Sequence, residues 1–145
     1  MKIILIVACA IVFLGNFQNV HARDDKAMFP IRSVLEMSQA IEKLDGVTFY
    51  FGSQSYPAVA EKFGIFSTNK KTNAFMKADE EACNWAFLSA LISLHRRAQS
   101  LGGNAVINIK SNYKNHEVVS ETEFECGAGN MIAGVALKGE VVRLH

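Results

Sequence analysis

DEEACNWAFLSALISLHRRAQSLGG, Asp79 to Gly103, sets the architecture of this chain. Cys83, Phe87, Leu91 (with Ala90), Leu94, Ala98 and Leu101 recur at helical spacing, and Trp85, Leu88 and Ile92 widen the stripe. A stripe that broad predicts a helix laid flat on a sheet. Asp79, Glu80 and Glu81 crowd its start, while His95, Arg96 and Arg97 gather toward its end. Both groups oppose the helix dipole favourably. Gly102-Gly103 stops the helix and lets the chain reverse.

Downstream the period changes to two. Asn104 to Lys110 alternates, with Ala105, Ile107 and Ile109 expected inward. After a polar turn at 112–117, residues 118–126 alternate again. Glu117, Glu121, Glu123 and Glu125 take one face; Val118, Thr122, Phe124 and Cys126 take the other. Gly127 to Asn130 reads as a tight connection. Residues 131–144 read as a last strand with a bulge at Gly139. Short turns favour antiparallel neighbours, so the predicted class is α+β: an antiparallel sheet with a long helix packed on one face.

Upstream the pattern is looser. Residues 23–30 read as a charged leader. Val34, Leu35, Met37 (or Ser38), Ile41 and Leu44 suggest one amphipathic helix over 31–44, with Ser33 and Glu36 as a capping box. Val47 to Phe51 alternates as a strand. Residues 57–63 suggest one or two helical turns closed by Gly64, and 67–72 an exposed loop. Asn69, Lys70, Lys71 and Asn73 are the partner- or anion-binding candidates there, with plain solvation the preferred reading.

Residues 1–22 have the build of a secretory signal peptide. Lys2 is followed by an uncharged apolar run from Ile3 to Leu14, and Val20-His21-Ala22 offers small residues before a cut. The expectation is export to the periplasm or beyond, with residues 23–145 forming one domain. The apolar run continues past Cys9, which speaks against a lipid-modified cysteine there. Lys2 leaves with the peptide, so fourteen basic residues (15 less one) face 14 acidic ones. That balance lacks the basic excess a nucleic-acid binder uses. No later segment is apolar enough for a stable membrane span.

Export changes what the cysteines mean. Cys83 sits on the helix stripe and Cys126 on the strand face shared with Phe124, so both point into one interface. A disulfide is the expected state; two separate buried thiols are the other reading.

No residue pattern points to catalysis, a cofactor or a metal centre. His95, His116 and His145 read as surface residues. His116 with Glu117 or Glu121 is the grouping that could contribute to a metal site, with His116 and Glu121 the candidates. Glu121, Glu123 and Glu125 read as a solvated sheet face, and no Ser or Thr stands beside a histidine. Tyr50, Tyr56, Phe63, Phe66 and Phe75 concentrate in the first half; any of them exposed together would mark a partner surface.

The run A-x-x-x-A-x-x-x-L-x-x-x-A-x-x-L-G-G-N-A-V-x-N-I over Ala86–Ile109 resembles the helix-to-strand unit of the small bacterial YbjQ-like βαββ proteins. It is also similar to the periplasmic half of the RcsF family of outer-membrane stress sensors. The stretch Cys126 to Leu137 is RcsF-like too. Asn69 to Phe75 and Asp79 to Cys83 resemble small exported proteobacterial proteins that often carry the label "excinuclease ATPase subunit". An ATPase of that kind needs a G-x-x-x-x-G-K-[ST] phosphate loop, and this chain has no such string. The resemblance implies a non-enzymatic, disulfide-stabilised binding or interaction module linked to envelope stress or surface function, with an envelope protein or a second copy as partner. The alternative it implies is a periplasmic small-ligand or metal-binding protein.

Overall fold

The structure, a computed structural model, describes residues 22–145. The expected signal peptide lies almost wholly outside the described residues. The elements run β1 (Asp25–Pro30), α1 (Ile31–Leu35), α2 (Ser38–Lys43), β2 (Thr48–Phe51), β3 (Val59–Asn73), α3 (Asp79–Leu101), β4 (Ala105–Tyr113), β5 (His116–Val118), β6 (Glu123–Ala128) and β7 (Ile132–Leu144). One seven-stranded sheet carries the long helix α3 on one face. β7 is its axis. One edge pairs with β3 from end to end; the other pairs first with β6 and then with β4.

The expected helix is present over the expected residues. Gly102 adopts φ +80°, and the Gly103 N–H donates back to the Ala98 carbonyl at 2.8 Å. That left-handed exit is open to glycine at little cost. The buried side of α3 runs from Ala82 and Cys83 through Phe87 and Leu91 to Ala98. It packs on alternate β7 residues Ala133, Val135, Leu137 and Val141, and on Phe124 and Cys126 of β6.

Several expectations are corrected. The sheet is mixed rather than wholly antiparallel, because β2 runs parallel to β4. A parallel neighbour needs a long crossover, and β3 with α3 provides it. The 23–30 leader contains a strand: β1 pairs with β6 residue for residue, from Asp25 opposite Ala128 to Pro30 opposite Glu123. The 31–44 segment is two short helices, since Met37 is extended at ψ 138°. Pro30, not Ser33, precedes the first, and no side chain caps it. Residues 59–63 of the expected helical turns and the whole expected loop over 67–72 are part of β3. Ladder pairing with β7 along fifteen residues overrides their helix and turn propensities. The expected 118–126 strand is split: β5 ends at Val118, and β6 starts at Glu123 and takes in Gly127 and Ala128 of the expected connection.

The bulge lies across from Gly139, in β4. Ile107 pairs with Glu140 but Lys110 with Lys138, so β4 carries one extra residue. Asn108 takes φ +53° to absorb it. The bulge turns the alternation over: Val106 and Ile109 join the core under α3, while Ala105 and Ile107 meet Val142 on the opposite face. A Cβ on Gly139 would lie 2.7 Å from Val106 Cγ1. The glycine is what lets β4 bend there.

Candidate functional site

The cysteines form the Cys83–Cys126 disulfide, with Cα atoms 5.9 Å apart, inside the normal range. Both are fully buried. Beside it Phe87 and Phe124 stack with centroids 4.0 Å apart. This is a structural joint, closed to solvent.

The other sequence candidates separate. Asn69, Lys71 and Asn73 pair with Ala136, Gly134 and Ile132, facing away from α3, whereas Lys70 lies opposite Val135 on the other face. They do not converge as a loop would. Asn73 acts locally, its Oδ1 accepting the Phe75 N–H at 2.9 Å. His116 is exposed on β5 opposite Tyr113. Glu121 accepts the Ser53 hydroxyl at 2.7 Å. Among the described residues no three His, Cys, Asp or Glu side chains gather as a metal site. His95 is buried, not on the surface; its Nε2 sits 2.7 Å from the Asp45 carbonyl and ties α3 to the turn before β2. Glu125 is likewise buried, at 7 % exposure, and its backbone N–H donates to Ser111 Oγ of β4 at 2.9 Å.

The β4–β5 hairpin is latched to the start of β1. Tyr113 donates its hydroxyl to Asp24 Oδ1 at 2.9 Å, and Lys114 pairs with the same carboxylate. Those contacts hold Asp24 below the usual carboxylate range, the Lys114 hydrogen bond contributing most. Burial, then the Asp24 hydrogen bond, pushes Tyr113 up to about 12. A raised phenol pKa stabilises the fold below the unfolded value near 10, and that contribution is lost as pH rises toward 12. Melting temperature should therefore fall across pH 10–12, and Tyr113→Phe should flatten the fall. Absorbance at 295 nm should show one tyrosine titrating late. An unchanged profile in Tyr113→Phe would exclude the latch as its origin.

Two surface features carry binding potential. The first is an apolar tip. The turn after β3 and the turn before β7 are joined by the Ala74 N–H donating to the Met131 carbonyl at 2.9 Å. They bring together Phe75, Met76, Met131 and Ile132, whose exposure ranges from 54 % at Phe75 to 90 % at Met76. Met76 sits at φ +58°, a conformation that non-glycine residues adopt infrequently. The second is a cleft of about 450 Å³ on the sheet face away from α3, with Ile65, Asn108, Lys110, Val119 and Lys138 in its walls. One rim is the β2–β3 loop against the β5–β6 loop. Gly52 there leaves only 3.0 Å between an added Cβ and the Ser120 backbone, and Ser53 bonds Glu121.

Phe75 was legible as a candidate partner residue, but its companions were not. The available signal was the pair of dipeptides Phe75-Met76 and Met131-Ile132, each standing just after an asparagine, Asn73 or Asn130. Only the strand pairing of Asn73 with Ile132 shows that they meet. Compared with protein-family models, curated proteins and solved structures, the chain matches none.

Proposed function

We propose that this chain is an exported, disulfide-stabilised binding module that engages an envelope protein through the tip formed by Phe75, Met76, Met131 and Ile132. The observation carrying this reading is the tip itself. Four large apolar side chains from two turns stand together in solvent, where isolated apolar residues would need no explanation. Methionine and aromatic residues are enriched at protein interfaces, and methionine adapts its shape to a partner. The buried disulfide fits an oxidising compartment, in keeping with a periplasmic or secreted location. The YbjQ- and RcsF-like reading of the helix–strand unit belongs to the same proposal. So does action by binding rather than by catalysis.

The test is crosslinking in a periplasmic extract, comparing the wild type with Met76→Asp/Met131→Asp. The wild type should capture a defined partner, and the variant should lose at least 90 % of that capture (on the order of the tenfold change that 1.4 kcal/mol produces). Its melting temperature should stay unchanged, because both side chains already lie in solvent. Equal capture by both proteins, or none by the wild type, would refute the tip as the binding surface.

A further inference from the structure

We propose that the cleft above β4 and β7 binds the carboxylate of a small monoanion with an apolar body. Its charge pattern comes first. Lys110 and Lys138 lie directly opposite each other on neighbouring strands. Like charges in that position repel. A single carboxylate, Glu117, answers both, at 3.1 Å from Lys110 and 3.0 Å from Lys138. Two positive charges against one negative leave one positive charge uncompensated. Glu140 lines the cleft and is paired with Lys62 at 3.7 Å, and Glu121 stands at the rim on the Ser53 hydroxyl, outside ion-pair reach of either lysine.

Donor capacity agrees with the charge. Each ammonium has three N–H donors, and Glu117 accepts from one on each. A carboxylate carries two oxygens, one for each lysine, and a single negative charge that matches the residue left over. The two ion pairs with Glu117 are partly solvated, so either re-forms around a third partner at little cost. A multiply charged phosphate ester would find one positive charge where it needs two or more.

The walls specify the rest of the ligand. Ile65 and Val119 are 62 % and 64 % exposed, and both line the cleft. Apolar area that they lose to a ligand favours binding. A volume of about 450 Å³ lies in the range of small-molecule sites. Asn108, at the positive φ of the β4 bulge, also lines the cleft, and such conformations and bulges both concentrate at functional sites. The cleft and the apolar tip share no residue, so each proposal stands or falls alone.

The experiment is a ¹⁵N amide-shift titration of the oxidised protein with four probes: hexanoate, hexylamine, 1-hexanol and the dipeptide acetyl-Leu-Leu. The last separates a free acid from a peptide C-terminus as the source of the carboxylate. At least one carboxylate should saturate shifts at Asn108, Lys110, Val119 and Gly139 with Kd on the order of 1 mM, the affinity expected of so few atoms. The amine and the alcohol should bind at least about tenfold more weakly, since they lack the charge. Lys110→Gln/Lys138→Gln should weaken the carboxylate about tenfold or more, while Lys70→Gln/Lys71→Gln leaves it unchanged. Unshifted amides elsewhere confirm that each variant is folded. The proposal is overturned if neither carboxylate saturates, or if the alcohol binds as well as the acid.

Discussion

Removing the disulfide should cost the domain roughly 4 kcal/mol. The Cys83–Cys126 bridge spans 43 positions of sequence, and the chain-entropy relation gives about 4 kcal/mol for a loop of that size. For a domain of this length, that corresponds to a fall in melting temperature of about 10 °C or more. Cys83→Ala/Cys126→Ala and simple reduction separate two contributions. Reduction leaves both sulfur atoms in the core and loses only the crosslink. The double alanine variant also opens space, because both residues are fully buried beneath α3. The alanine variant should therefore melt below the reduced wild type, and both below the oxidised protein. Denaturant unfolding in the presence and absence of reductant measures all three. A reduced protein within about 1 kcal/mol of the oxidised one would show that the bridge does not restrain the unfolded chain as the entropy relation requires.

This joint was readable from sequence because its geometry is periodic. Cys83 and Phe87 are four apart on a helix; Phe124 and Cys126 are two apart on a strand. Four helical residues rise about 6 Å and two strand residues about 6.8 Å. Two rungs therefore align between α3 and β6 without strain: the disulfide and the stacked phenyl rings. Position on one face was enough to infer that the cysteines meet. The long helix and the final strand were legible for the same reason. Each shows one dominant period over many residues.

What escaped was whatever depends on partners distant in sequence. β3 carries Lys62, which read as part of a helical turn, and Lys70 and Lys71, which read as loop. Lysines are equally at home on an edge strand, where they discourage pairing with other chains, and β7 supplies the ladder that makes the segment a strand. β1 was hidden by its charge, since only its pairing with β6 orders it. Asn108 hid the bulge, because a residue in the left-handed region leaves no mark on a hydrophobic pattern. The consequence was a wrong inward set for β4: Ile107 faces away from α3, and Val106 takes its place. The candidate sites fared worse. The cleft combines residues from β3, β4 and β7 and from the β2–β3 and β5–β6 loops, and its opposed lysines meet only through register. His116 and Glu121 drew notice for their chemistry, and nothing in the fold joins them.

The second large effect concerns the other rung. Phe124→Ala should destabilise the protein by about 3–5 kcal/mol, the usual cost of deleting a buried phenyl ring. Phe124 is 1 % exposed and touches two rings, Phe87 at 4.0 Å and Phe29 at 6.0 Å between centroids. The cost depends on whether the surroundings can close over the space. Here they are pinned, because the disulfide two residues along holds β6 against α3. The same substitution should therefore cost less, by about 1 kcal/mol, in the Cys83→Ala/Cys126→Ala background, where the helix is free to settle inward. Phe87→Ala should behave alike, since Cys83 lies one turn before it. A double-mutant cycle in urea, with Phe124→Ala and the cysteine pair as its two arms, measures the coupling directly. Strict additivity would mean that the rungs act independently and that the disulfide stabilises through the unfolded chain alone. Coupling of the stated sign would mean that it also limits how far the native core can relax.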